Sequence, residues 1–179
     1  MRIGSVCTGY GGLEMGLRQV FPDGELVWVA DNDKAATALL AARHPGVPNL
    51  GDIRRVDWAA VPPIDVLAGG YPCQPFSDAG LRKGEDDERD LIPYVIEAIR
   101  ALRPRFAVLE NVPGHRRRGF GRILGGLASL GFDAVWHSVR AAEAGAPHRR
   151  ERVFILAHTG DVGRERPRAR AARPPYRYC

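Results

Sequence analysis

The stretch GGYPCQPFSDAG places one cysteine, Cys73, between Pro72 and Pro75, directly after the apolar run IDVLAGG. Proline fixes its own φ and lacks an amide proton, so two prolines this close mark a rigid loop rather than a helix or an inner strand. A cysteine there is either a small buried hydrophobe or a reactive sulfur. Reactivity needs the thiolate, which free cysteine, with a pKa of about 8.5, holds only in small part at neutral pH. Two later segments bear on the choice. FAVLENV ends an apolar run in Glu110, where burial would raise the carboxyl pKa and let it share or donate a proton. HRRERVF offers Arg150 and Arg152, two apart and so on one face of an extended strand, suited to a carbonyl or phosphate.

A second set of residues suits a nucleoside. CTGYGG follows the first apolar run, and Gly9, Gly11 and Gly12 let the chain turn tightly and approach a ligand. The full GxGxxG dinucleotide fingerprint is absent. ELVWVAD ends in Asp31, placed to accept hydrogen bonds from ribose hydroxyls, and VPNLGDI ends in Asp52, placed to accept from an exocyclic amine. Taken singly, either acid also reads as a helix N-cap. In series they favour adenosine, and without a phosphate-cradling pattern S-adenosylmethionine fits better than a dinucleotide.

Strands must carry these residues to one place. RIGSVC, ELVWVAD, IDVLAGG and FAVLENV read as strands, with helices at LEMGLRQVF, KAATALLAARH, DLIPYVIEAIRALRP and FGRILGGLASLG between or after them. Ile92, Val95, Ile96 and Ile99 follow helical spacing. VPNLGDI is a short strand or loop, and FDAVWHSVRAA and RVFILAH close as a hairpin-like edge. The alternation predicts an α/β fold, a mostly parallel sheet with helices on both faces. Ligands of such sheets bind beyond the carboxyl ends of the strands. Asp31, Asp52, Cys73 and Glu110 are all expected there.

Charge divides the chain unevenly. The net charge is +5, but residues from Thr159 onward carry six arginines against Asp161 and Glu165, which leaves only +1 for the body. A catalytic body over residues 1–158 and a basic Arg/Pro-rich tail over 159–179 are expected, the tail disordered alone or an electrostatic arm. Three scattered cysteines, Cys7, Cys73 and Cys179, argue against a disulfide framework or a structural zinc site and suit a reducing cytoplasm. No run is long and apolar enough for a membrane span, and the N-terminus does not read as a signal peptide.

In this order, SVCTGYGG, GDI, DVLAGGYPCQPFS, FAVLENVPG and GAPHRRERVFILA closely resemble the cytosine-5 DNA methyltransferases, over nearly all of residues 3 to 158. The resemblance implies the Rossmann-like S-adenosylmethionine-dependent methyltransferase fold and methyl transfer to carbon 5 of cytosine in DNA, in a bacterial or phage restriction-modification setting. It implies Cys73 as nucleophile, Glu110 as the acid beside the target ring, and Arg150 and Arg152 as the arginines that hold the flipped base and the loop. Around S-adenosylmethionine it implies Cys7, Gly9, Tyr10, Gly11, Gly12, Asp31, Asn32, Asp52, Ile53, Gly70 and Pro72, and no metal. Double-stranded DNA with a flipped cytosine is the implied partner.

This sequence departs from the family pattern at several points. Cys7 stands where a phenylalanine usually packs on the adenine, Asp31 replaces a commoner glutamate, and His148 replaces a glutamine. The chain also ends soon after RVFILAH, where family members continue into a target-recognition domain and a returning helix. Three alternatives follow: a short product with weak or no activity, a subunit completed by a second polypeptide, or a tail that binds DNA through phosphates. A tRNA cytosine-5 methyltransferase is the close enzymatic rival.

Overall fold

The computed structural model describes residues 1–72 and 90–160. Six strands form one sheet in the order β2-β1-β3-β4-β6-β5: β1 Arg2–Val6, β2 Glu25–Ala30, β3 Val66–Gly69, β4 Phe106–Asn111, β5 Phe132–Arg140 and β6 Glu151–Thr159. The first four pair in parallel, and β6 runs antiparallel to both β4 and β5. The expected parallel sheet with a hairpin-like edge is therefore present.

Two hydrophobic cores lie on opposite faces of this sheet. The smaller joins Ile3, Val29, Val66 and Ala68 to Leu17 of α1 (Gly12–Val20) and Leu40 of α2 (Lys34–Arg43). The larger joins Val6, Trp28, Leu67, Leu109 and Ile155 to α3 (Ile92–Leu102) and α5 (Phe120–Ser129). Buried on both faces, β3 reads as the continuous apolar run VLAG. A four-residue helix, α4 (His115–Arg118), sits between β4 and α5.

Local chemistry sets where the helices begin. The Asp33 carboxylate caps α2 by accepting from the Ala36 amide at 2.8 Å. Pro93 falls in the first turn of α3, where a missing amide proton costs nothing. In β1 a glycine is required by packing. The Trp28 indole, fully buried, crosses so close that a Cβ on Gly4 would lie 2.2 Å from its ring.

Of the two readings of VPNLGDI, a short strand or a loop, the structure has the loop. One isolated bridge joins Val29 to Asn49, and a 3-10 turn over Ile53–Arg55 follows. Pro48 has no amide proton, so this segment cannot complete a ladder; its carbonyl accepts from Val29 instead.

The register aligns the strand ends that matter. Val6 pairs with both Ala30 and Gly69, and Gly69 pairs with Leu109. Cys7, Asp31, Gly70 and Glu110 thus emerge side by side along one edge. With β2 and β3 on opposite sides of β1, the chain reverses its winding at β1, and a crevice opens between β1 and β3.

Candidate functional site

Two cavities open at that crevice and share Cys7, Gly9 and Gly70 as a common wall. The first, about 460 Å³, is lined by Asp31, Asn32, Asp52, Ile53, Pro72 and Leu91 among others. The second, about 550 Å³, runs along α1 past Tyr10 and Gly12 to Glu110, Arg150 and Arg152. Both volumes fall in the range of small-ligand sites.

The glycine turn leaves β1 through Cys7, Gly9 and Gly11, all at positive φ (51°, 57° and 84°). Gly11 caps α1 in the left-handed conformation. It lines neither cavity; its Cα faces Glu14, Leu40 and His44 on the side of α1 and α2. Burial, reinforced by the nearby Asp31 and Asp52 charges, pushes the Cys7 thiol up to about 12, so it is a neutral wall between the cavities.

Asp31 is not a helix cap, since Asp33 takes that role. Its Oδ2 accepts from the Gly9 amide at 2.8 Å and its Oδ1 from the Asp33 amide at 2.9 Å. The acid at the end of β2 therefore fixes the glycine turn at the end of β1. Each carboxylate oxygen has two acceptor positions, which leaves Asp31 able to accept from a diol as well. Asn49, which sequence reasoning overlooked, locks the neighbouring loop. Its Oδ1 accepts from the Asp31 and Gly51 amides, both at 3.0 Å, and its Nδ2 donates to the Asp31 carbonyl.

Asp52 caps the 3-10 turn by accepting from the Arg54 amide at 3.0 Å, and the Arg54 guanidinium forks onto the same carboxylate. Hydrogen bonding from Arg54, with its charge and that of Arg55, holds Asp52 down to about 2. An acceptor ionised at neutral pH, apolar walls from Ile53 and Leu91, and a second acid at Asp31 together suit an adenosine moiety. The thiol of Cys7 offers an adenine less contact than an aromatic ring would.

Glu110 departs from the expected burial. About 26% of its side chain is exposed, and its Oε1 lies 2.6 Å from Arg152 Nε. A guanidinium, not an apolar pocket, faces this acid. The pairing follows from the antiparallel register, which sets Glu110 opposite Phe154 and brings Arg152 to the strand end. Arg150 lines the same cavity, although the strand starts only at Glu151. Glu110 Oε2 also lies 3.6 Å from where a Cβ on Gly70 would stand. Cys73, three residues beyond Gly70, lies outside the described residues.

The structure also reveals a buried tether that the sequence did not announce. The Tyr71 hydroxyl and His115 Nε2 share a hydrogen bond of 2.9 Å, with both residues at most 2% exposed. Asn111 Nδ2 donates to the Tyr71 carbonyl at 3.0 Å. Burial holds the His115 pKa down despite the opposing charge of Asp90, favouring the neutral ring. These bonds join the end of β3, just before Cys73, to the segment that follows Glu110. Two aromatic or imidazole groups some forty residues apart carry no local signal. Among the described residues, no group of three His, Cys, Asp or Glu side chains is placed to hold a metal ion. No described helix is long and apolar enough to cross a membrane.

Known proteins resemble this chain in sequence and in fold. Residues 1–174 match the model of the C-5 cytosine-specific DNA methylase family. The chain is 37% identical over 154 residues to the type II methyltransferase M.NlaX of Neisseria lactamica, covering 83% of this chain and 49% of that protein. It is 33% identical over 161 residues to M.BsuFI of Bacillus subtilis, covering 87% of this chain and 39% of that one. The chain thus spans half or less of the length of these relatives. Among solved structures, the S. pombe Dnmt2 methyltransferase superposes with a TM-score of 0.73 at 18% identity, covering 89% of this chain and 51% of its own. The Entamoeba histolytica methyltransferase EhMeth gives 0.73 at 17% identity, covering 88% and 52%. At such identities the structures speak for the fold, the Rossmann-like methyltransferase architecture. The family match, together with this sheet edge, gives the identity: the chain belongs to the C-5 cytosine-specific DNA methylase family.

Proposed function

We propose that residues 1–158 form the catalytic domain of an S-adenosylmethionine-dependent DNA cytosine-5 methyltransferase, followed by a basic tail over 159–179. The observation that carries this reading is the common wall of the two cavities. A nucleoside-suited cleft with Asp31 and Asp52 meets a second cleft with Glu110, Arg150 and Arg152 across Cys7, Gly9 and Gly70. A donor and an acceptor ring in these clefts would touch at that wall.

S-adenosylmethionine supplies, when bound, an electrophilic methyl group on a sulfonium centre. Asp31 would hold its ribose hydroxyls and Asp52 its exocyclic amine, with Asn32, Ile53 and Pro72 closing around the base and Tyr10 and Gly12 bordering the second cleft. Carbon 5 of cytosine is a poor nucleophile by itself. The Cys73 thiolate would add to carbon 6, and the displaced electron pair would make carbon 5 an enamine-type nucleophile. Glu110, oriented by Arg152, would hydrogen-bond the ring nitrogen and amino group and steady the charge that addition creates. As carbon 5 takes the methyl group, the methyl–sulfur bond breaks to leave a neutral thioether; a base then removes the carbon 5 proton, and that electron pair expels the Cys73 thiolate and restores the ring. Cytosine stacked in a duplex cannot reach these groups, so the target base would be flipped out.

The decisive test uses labelled S-adenosylmethionine and duplex DNA containing 5-fluorocytosine. Fluorine cannot leave as a proton does, so a covalent protein–DNA adduct should accumulate in the native chain and vanish in Cys73→Ser. Measurable cofactor binding without any adduct would overturn the activity of this chain alone. Recovery of the adduct on adding a second polypeptide would identify a split enzyme. An adduct on tRNA instead of DNA would replace the substrate.

A further inference from the structure

The basic cluster HRRR, just after β4, has no part in the chemistry above. His115 turns inward and is 1% exposed, whereas Arg116 and Arg117 turn outward and are exposed. Several arginines elsewhere are engaged: Arg54 with Asp52, Arg100 with Glu97, Arg122 with Asp90 and Arg152 with Glu110. Arg116 and Arg117 have no ion pair or side-chain hydrogen bond among the described residues, and neither has the exposed Arg149.

Topology brings the segments that carry them to one edge of the sheet. Asn111, the last residue of β4, pairs with Val153 near the start of β6. The segment leading into α4 and the segment leading into β6 therefore leave the same carboxyl edge, at the strand ends that carry Glu110 and Arg152. Free guanidiniums on the edge that carries a catalytic cleft are suited to phosphate oxygens, which they meet with two parallel donors.

We propose that Arg116, Arg117 and Arg149 form a phosphate-contact surface that seats duplex DNA across the mouth of the Glu110 cleft. The inference rests on the DNA reading above and adds the residues that hold the backbone. Such contacts position a duplex without reading its sequence. They differ from the expected role of the tail in belonging to the folded edge itself.

Salt-dependent binding tests this. A labelled duplex is titrated with the native chain and with the triple variant Arg116→Ser/Arg117→Ser/Arg149→Ser, between about 50 and 300 mM salt. The plot of log affinity against log salt should flatten by about 2.7, or about 0.9 per lost phosphate contact. Unrelated duplex sequences should weaken equally, and S-adenosylmethionine affinity should stay unchanged. The triple lysine variant should keep most of the slope, and Arg100→Ser, on α3, all of it. A native slope that the serine variant reproduces would overturn the inference while leaving the methyltransferase reading intact, since the Cys73 adduct is read in the same samples. A native chain that binds duplex without salt dependence, or prefers an RNA hairpin, would overturn the duplex seat itself.

Discussion

The two halves of the candidate site are held by different kinds of contact. On the donor side, Asp31, Asn49 and Asp52 are fixed by partners at most 22 residues away, many of them backbone amides in adjoining loops. On the acceptor side, Glu110 depends on Arg152, and Tyr71 depends on His115 and Asn111, at separations of 40 residues or more. Loops shape the first half; the sheet register assembles the second. The donor side should therefore tolerate changes in distant strands, whereas the acceptor side should fail when one cross-strand partner is lost.

The largest expected effect tests that dependence directly. Arg152→Met removes the cation from Glu110 and should slow methyl transfer about 10²–10³-fold, the range for losing one charge-stabilising donor. S-adenosylmethionine affinity, measured by calorimetry, should change little. Equal losses in both measurements would mean that the two halves are not separable. Asp31→Ala should do the opposite, weakening cofactor binding by about 1.5–3 kcal/mol through lost bonds to a charged acceptor. Since Asp31 also holds Gly9, hydrogen exchange at the glycine turn should rise in that variant and stay native in Arg152→Met.

Tyr71→Phe leaves a buried His115 nitrogen without its partner, at a cost of about 1–3 kcal/mol in urea unfolding. If cross-strand tethering matters to the chemistry, adduct formation should slow as well, with cofactor affinity intact. A variant as stable and as fast as the native chain would remove this tether from the acceptor half.

The smallest effect concerns Glu14, 3% exposed beneath the glycine turn. Ser5 donates to its Oε1, but Oε2 has no partner among the described residues, and burial raises its pKa above the ordinary 4.5. The folded state then holds this proton more tightly than the unfolded chain, so Glu14 costs stability progressively as pH rises from about 4.5 through its folded pKa. Glu14→Gln should therefore stabilise the chain at neutral pH and lose that advantage below pH 4.5. A gain that does not vary with pH would point to packing instead.

Much of this was legible along the chain. The alternation of apolar runs gave the sheet, helices on both faces and the antiparallel edge, because each element's periodicity is local. The glycine turn and Asp31 were legible for the same reason: strand ends in such sheets converge, and a short acid after an apolar run lands on the shared edge. Asp52 lines the first cavity as its place in the chain suggested, while VPNLGDI, open between strand and loop in the sequence, is a loop because Pro48 breaks the ladder without changing the apolar appearance of the segment. Glu110 stands at the sheet edge as expected, but its surroundings differ from the expected burial. The run FAVLENV suggests burial, and only the pairing of β4 with β6 brings a guanidinium beside it.

By itself, the sequence determined the family, the order of elements and most of the residue types at the site, because motifs and periodicity are properties of consecutive residues. Tertiary structure decided which charges meet, that Asp31 holds the glycine turn, that Tyr71 is tied to His115, and that Gly11 lines neither cavity. Those outcomes depend on register and on the side of a turn from which a side chain leaves. Residues far apart in the chain acquire these relations only when the sheet closes around its two cores.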